Sequence, residues 1–569
     1  MTIDNRLHRQ TSSLRTPTKL ARTSNRPPIT SSEEPIVMHT LSQLVKSANL
    51  LVLRHRHAVD GLRLNATIGS CLFALTVVFA AGLAQAQELP TPANTQAPAA
   101  NDTQAAAAND KEKKTGTVEP ATGEPASDAQ KVPARVDEVA LHRPGLLPDR
   151  IVLTWNGDPA KSQCVTWRTD TSVTKAFAEI TIAEGGPTFE KKAKRIPATT
   201  QRLDPDTNSA HCHPVTFSEL TPATKYIYRV GDGTNWSEWI QFRTAHTEAE
   251  PFSFIYFGDA QNNLRQHWSR VIREAYSDAP KARFMIHTGD LVNNSLRDAE
   301  WGEWFQAGGW MNAMVPSLPV IGNHEYVKDP KDAAKPTGPC PHWRAQFALP
   351  DAAHERLHET SYALDYQGVR ILCLNSNELL PEQTAWLDKQ LSENPHKWTI
   401  AAFHHPIFSA APKRDNAKLR EAWKPLFDKY RVDLVLTGHD HTYARSRSAE
   451  SETAEVKNVA TGVNTRSQDA GTVYVVSVSG PKMYHVERKP QMQRVAEDTQ
   501  LYQIIHIDGD QLRYEARTAA GELYDAFKLI KRPNAANEFV EQVPNTPERD
   551  RKSTRLNSSH VALSRMPSS

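Results

Sequence analysis

Cysteine is scarce in this 569-residue chain, with only five residues, at positions 71, 164, 212, 340 and 373. None of them forms a pair at zinc-finger or zinc-ribbon spacing, and His211-Cys212-His213 has no second ligand pair to complete a site, so a cysteine-based structural metal site is excluded. Cys71 falls in the leader described below. The other four are expected to be buried thiols or to hold one disulfide, and spacing does not select a pairing. Glycine is also sparse, with 25 residues against 38 prolines, which points to linkers and tails. Charge of one sign is nearly absent, since the formal net charge is +2. Residues 1–86 hold ten Lys/Arg against four Asp/Glu, and the rest of the chain is slightly acidic. That balance makes nucleic-acid binding an unexpected function.

One long apolar run is present, from about Ile68 to Leu83. Arg54, Arg56 and Arg63 precede it and Ala84-Gln85-Ala86 follows it, the pattern of a secretory signal cleaved after Ala86. A periplasmic or secreted product with no membrane contact follows. The competing reading is an uncleaved helix that anchors the chain. Residues 1–86 are therefore an N-terminal extension plus signal peptide. Residues 87–146 are a linker rich in Ala, Pro, Thr, Gln and Asn.

With 39% hydrophobic and 23% charged residues, the remainder can bury a sizeable core. From residue 147 to 246, short β-branched and aromatic runs such as RIVLTW, QCVTWRT and KYIYRVG alternate with Gly/Asn/Asp turns. This predicts an all-β sandwich, fibronectin III-like, that serves either as a packing domain or as a glycan- or partner-binding module. From residue 251 to 531, strands alternate with helices, as in an α/β (α+β) layered domain with buried sheets. Trp268, Val271, Ile272 and Ala275 mark one helical face, Trp386, Leu387 and Leu391 another, and Leu419, Trp423 and Leu426 a third. Residues 446–470 read as a polar loop. The tail 534–569 carries no core pattern and reads as disordered, and its end, RKSTRLNSSHVALSRMPSS, looks artefactual.

Five apolar runs in the second domain end alike. FSFIYFGD ends at Asp259, RFMIHTGD at Asp290, SLPVIGNHE at Asn323 and His324, WTIAAFHHP at His404 and His405, and VDLVLTGHDH at His439 and His441. Strands of such a sheet deliver ligands at their carboxyl ends. Four of the five exits have glycine immediately before the polar residue, which lets the backbone approach an ion closely. Collecting this many polar groups at one sheet edge without a cation would be costly. Imidazole, carboxylate and amide oxygen together suit Fe, Mn or Zn. There are too many donors for one tetrahedral ion, so two ions are expected. In His439-Asp440-His441 the flanking imidazoles can each reach an ion while Asp440 points away.

These five blocks, in this order, resemble the calcineurin-like metallophosphoesterase superfamily. The preceding sandwich and GHDHTYAR resemble purple acid phosphatases more narrowly. The resemblance implies a four-layer metallophosphoesterase domain with two central mixed sheets. It implies Asp259 and His441 on the first metal, Asp290 as a bridge, and Asn323, His404 and His439 on the second. It also implies His324 as a catalytic group over the substrate and His405 beside the ligands or facing substrate. Two positions depart from the family. Asn293 stands where purple enzymes carry a tyrosine ligand, and Gln261 where related enzymes carry histidine, so both are only possible ligands. The expected activity is hydrolysis of phosphate monoesters on a small phosphorylated substrate by metal-bound hydroxide. Lys413 and Arg414 are candidate substrate contacts. A phosphodiesterase or nucleotidase using the same site is the alternative enzyme, and a non-catalytic cell-surface binding protein is the rival of another class.

Overall fold

The computed structural model describes residues 136–550 apart from 330, 352–353, 450–454, 459–462 and 534. The leader, linker residues 87–135 and the last nineteen positions, 551–569, lie outside the described residues, whereas the end of the expected linker, 136–146, is described and carries the short helix Glu138–Leu141. No described helix is long and apolar enough to cross a membrane.

Eight strands form the first domain as two four-stranded sheets. One sheet runs Asp149–Thr154, Gln163–Thr169, Ala210–Phe217, Gln201–Leu203, and the other Lys194–Pro197, Phe177–Ile182, Lys225–Gly231, Ile240–Arg243. Alternation of side chains brings Leu153, Val165, Trp167, Ile180, Phe217 and Tyr228 into one core between the sheets. Tyr226 turns its hydroxyl back to accept from the Thr221 N–H at 2.8 Å, closing the corner before its own strand. The domain packs firmly on its neighbour. The Tyr228 hydroxyl donates to the Ala313 carbonyl at 2.7 Å, and the Trp155 ring lies 5.9 Å from Phe284 and 5.6 Å from Tyr366.

The second domain is built on one long, curled mixed sheet. The two expected sheets are its halves. In the first half, Phe252–Phe257, Met285–His287 and Ser317–Pro319 run parallel. In the second, Val369–Cys373, Trp398–Ala402, Leu434–Thr437 and Val463–Val476 run parallel. Antiparallel strands from Leu501 to Val543 join the halves at one side. A single bridge between Asp259 and Val478 joins them again where the parallel strands end. The exits of both halves therefore face the same place. Helix Ser269–Asp278 buries Val271, Ile272 and Ala275, and Leu380–Ser392 buries Leu387 and Leu391. Ala417–Tyr430 buries Leu419, Trp423 and Phe427 with Pro425 inside it. Trp386 and Leu426 pack only partly buried against the same core.

Two expectations are corrected. The tail does not begin at 534, because Asn537–Val543 is a strand paired on both sides, with Val463–Val476 and with Leu523–Ile530. In NEFVEQV only Phe539 is fully buried, so the run has no readable alternation. The polar segment 446–470 is likewise largely strand, since Tyr443–Ala449 and Val463–Val476 pair antiparallel. Arg445 explains why a polar run can lie in a sheet. It is wholly buried, donates to both oxygens of Asp525 at 2.7 and 3.1 Å, and reaches Glu541 of the tail strand at 2.8 Å. The four described cysteines are all buried free thiols.

Candidate metal centre

The five strand exits meet at the sheet edge, and their backbones are closely pressed. A Cβ on Gly438 would stand 2.1 Å from Asp259 Oδ1, and one on Gly322 would stand 2.2 Å from Asp290 Oδ1. No side chain other than hydrogen fits at either place. Asp290, His439 and His441 themselves take positive φ of 50°, 73° and 49°, strain of the kind stored at functional sites.

The donors fall into two groups that share Asp290. In the first, His441 Nε2 lies 3.4 Å from Asp259 Oδ2 and 3.4 Å from Gln261 Nε2. Gln261 also donates to Asp290 Oδ2 at 2.8 Å. In the second, His404 Nε2 lies 3.3 Å from Asp290 Oδ2, 3.0 Å from Asn323 Oδ1 and 3.0 Å from His439 Nδ1. The unused ring nitrogens are fixed by main-chain carbonyls. His404 Nδ1 donates to Thr288 at 2.9 Å, and His441 Nδ1 to Lys482 at 2.9 Å. That is how a protein orients metal-binding imidazoles.

These residues fit a metal ion on observations independent of any resemblance. Asp259 Oδ2 and Gln261 Oε1 are buried with no hydrogen-bond partner. Burial, with Asp290 nearby, pushes the Asp259 carboxyl up to about 7 even though His404 pulls it down. Burial pushes Asp290 the same way, but His404 more than offsets it and holds that carboxyl well below the usual range. In return His404 is raised to about 10 against its own desolvation, chiefly by Asp290. The site is thus a pair of buried carboxylates sharing one imidazolium. Among the described residues, no lysine or arginine bonds either carboxylate. A cation would relieve that shortage.

Other predicted residues fall around this core. His324 has Nδ1 held by the Asn293 carbonyl at 2.5 Å and Nε2 3.9 Å from Asp290 Oδ2, and it is partly open to solvent. Asn293 thus serves the site through its carbonyl. His405 is half-buried, bonds the Ser376 hydroxyl through Nδ1 at 2.8 Å, and lies with its ring tilted 4.3 Å from the His439 ring. A ring nitrogen of His405 lies within 4.8 Å of ones on His404 and His439, a spacing that could hold one ion. Asp440 points away as expected, accepting from the Ser409 hydroxyl at 2.7 Å and the Ala410 N–H at 2.7 Å. Arg414 is not brought to the donors by its charge. It donates to the His439 carbonyl at 2.7 Å and lies over the Tyr484 ring, so it steadies the loop that carries His439. Lys413 is exposed, and its side chain bonds no site residue among the described ones.

Sequence reasoning missed Glu325. It is wholly buried and accepts from the N–H groups of Asp290 at 2.8 Å, Gly322 at 2.8 Å and Leu291 at 2.9 Å. One carboxylate so clamps two of the strand exits. Its signal was its position, directly after Asn323-His324.

The model of the purple acid phosphatase N-terminal domain matches residues 148–244, and that of the calcineurin-like phosphoesterases matches residues 252–443. Fold and site together define a metal-dependent phosphoester hydrolase, similar to phosphatases that act on small phosphorylated substrates. An uncharacterised protein of Mycobacterium tuberculosis is 26% identical over 58% of this chain and 68% of its own length. The phosphoenolpyruvate phosphatase of Allium cepa is 25% identical over 56% of this chain and 67% of its own. In fold, the purple acid phosphatase PPD1 of yellow lupin seeds covers 67% of this chain and 74% of its own, with 20% identity and a TM-score of 0.55. In this order the two domains match the purple acid phosphatase N-terminal domain and the calcineurin-like phosphoesterases, so the chain is purple acid phosphatase-like.

Proposed function

We propose that this protein is an exported phosphatase that hydrolyses phosphate monoesters at a site holding two metal ions. The observation that carries the reading is two buried carboxylates and three imidazoles converging, with no lysine or arginine among the described residues bonded to either carboxylate. Asp259 and His441 would hold one ion, with Gln261 beside it. Asn323, His404 and His439 would hold the other, and Asp290 would serve both. Their mixed nitrogen and oxygen donors suit Fe, Mn or Zn. Such ions, when bound, neutralise phosphoryl oxygens and make water acidic enough to attack phosphorus.

The chain's own residues do the rest. The Asn293 carbonyl fixes the Nδ1–H tautomer of His324 and turns Nε2 toward the shared carboxylate. There Nε2 can bind a phosphoryl oxygen or deliver a proton to the leaving oxygen, worth roughly 10²–10⁴-fold. Glu325 and Arg414 hold the backbone of the exits in place. Export is supported by the leader ending at Ala86.

The test uses protein stripped with chelator and reloaded with Mn, Zn or Fe. p-Nitrophenyl phosphate should be hydrolysed only after reloading, and faster than bis-p-nitrophenyl phosphate. His439→Ala should abolish the activity, whereas His324→Ala should keep both metals and lose about 10²–10⁴-fold in kcat. Faster diester turnover would favour the phosphodiesterase, and absence of metal binding would sink the site altogether.

A further inference from the structure

A groove of about 780 Å³ opens from the metal centre, beginning at Asn323 and His405. Tyr326, Asn377, Leu380 and Leu419 form much of its wall. The volume falls within the range that takes a small-molecule ligand. Four charged side chains line it, and they are unequal. Glu378 is neutralised, since it accepts from the Tyr326 hydroxyl at 2.6 Å and pairs with Arg356. Asp415 is neutralised by Arg420, which donates to its two oxygens at 2.5 and 3.1 Å. Lys328 and Lys418 have no bonded partner among the described residues. The groove therefore carries two uncompensated cations beyond the place where a phosphoryl group would sit. A concave, partly apolar wall strengthens the pull of such charges on an anion.

Resting on the phosphatase reading above, we infer that the leaving group of the favoured substrate carries a second anionic group, a phosphate or a carboxylate, bound in this groove by Lys328 and Lys418. The chemistry at phosphorus is unchanged. Water oxygen joins phosphorus, the bond from phosphorus to the leaving oxygen breaks, and that oxygen takes up a proton. The groove only selects which alcohol leaves. An ester with a neutral alcohol would leave both lysines solvated and gain nothing from them.

Three esters on one skeleton test this with the metal-loaded protein: glucose 6-phosphate, glucose 1,6-bisphosphate and 6-phosphogluconate. The two dianchored substrates should exceed glucose 6-phosphate in kcat/KM by about five- to tenfold, through KM, as two partly exposed ion pairs allow. The advantage should shrink as salt is raised. In Lys328→Ala/Lys418→Ala it should fall to about one, with p-nitrophenyl phosphate turnover unchanged. An advantage for the bisphosphate alone would assign the second group as phosphate, and for the gluconate alone as carboxylate. Equal kcat/KM for all three esters, or an advantage that survives the double substitution, would overturn the inference while leaving the phosphatase intact. Failure to hydrolyse any ester, p-nitrophenyl phosphate included, would overturn the phosphatase reading and this one with it.

Discussion

Two of the buried charge clusters among the described residues are balanced differently. One ties the sandwich to the second domain. Asp298 accepts from Arg150 Nη1 at 2.7 Å and Nη2 at 2.8 Å, from Arg168 at 3.2 Å, and stands 3.2 Å from His342. Arg168 also grips Asp149 at 2.6 and 2.8 Å. Desolvation would raise the Asp298 carboxyl, but His342 and Arg150 more than reverse it and hold it well below the usual range. The other cluster is the strand-exit site, where Asp259 and Asp290 have imidazoles for company and Asp259 is pushed up to about 7. Both clusters are buried, but the first holds two guanidiniums and a histidine around Asp298, whereas the second has one raised imidazole, His404, for two carboxylates. A buried charge that the chain neutralises is scaffold. One that it leaves short of positive charge is a place for something that comes from solution.

The sharpest way to break the comparison is to neutralise one acid in each cluster. Asp259→Asn should remove metal and activity together, read by metal analysis and ester turnover. The metal-free protein should be no less stable than the metal-free parent, because a carboxyl pushed up to about 7 contributes no stability in its charged form at neutral pH. A large loss of metal-free stability would mean that Asp259 is scaffold after all. Asp298→Asn should do the reverse. It leaves Arg150 and Arg168 buried short of one negative charge, a loss of about 3–5 kcal/mol in a denaturant titration. The fraction that remains folded should bind metal as before. A loss below about 1 kcal/mol would show that the network is solvated rather than buried.

The contrast also sorts what could be read from the chain. The convergence of the candidate donors was legible because each lies at the end of an apolar strand, and strand ends converge by topology. Asp440 was legible from the alternation around it. The scaffold cluster was not, because Arg150, Arg168, Asp298 and His342 are scattered and each looks like an ordinary polar residue. The tail strand was invisible for a related reason. It is held by Phe539 and by Glu541 meeting the buried Arg445, and neither gives a period. Arg414 was read from its charge as a candidate substrate contact, and its second use was not legible: Nη1 donates to the His439 carbonyl and lies 3.5 Å from Asp440. Pattern reveals what repeats or terminates an element, and long-range pairing leaves no local trace.

Acid gives the mildest test, because it acts on buried groups that belong to neither cluster. His213 in the sandwich is buried between the Thr169 and Thr200 hydroxyls, and desolvation lowers it to about 4. His287 in the second domain packs among Phe257, Trp268 and Trp304, and burial lowers it to about 3. The unfolded chain protonates both near their ordinary value of 6.5. Each therefore contributes stability that is present above 6.5 and is lost as pH falls toward the folded value, at about 1.4 kcal/mol per pH unit. Asp298 does not titrate in that window, since its folded value is depressed and its contribution is lost only on further acidification. Metal-loaded protein, whose ligand histidines are held neutral, should thus lose roughly 2 kcal/mol per histidine between pH 6.5 and 5. His213→Gln should flatten that slope by one histidine's share, about 1.4 kcal/mol per pH unit, leaving what His287 and the other histidines with lowered values, His142, His342 and His506, contribute. A slope unchanged by the substitution would place the acid sensitivity back in the metal site, where loss of the ions and not of the scaffold would set the limit.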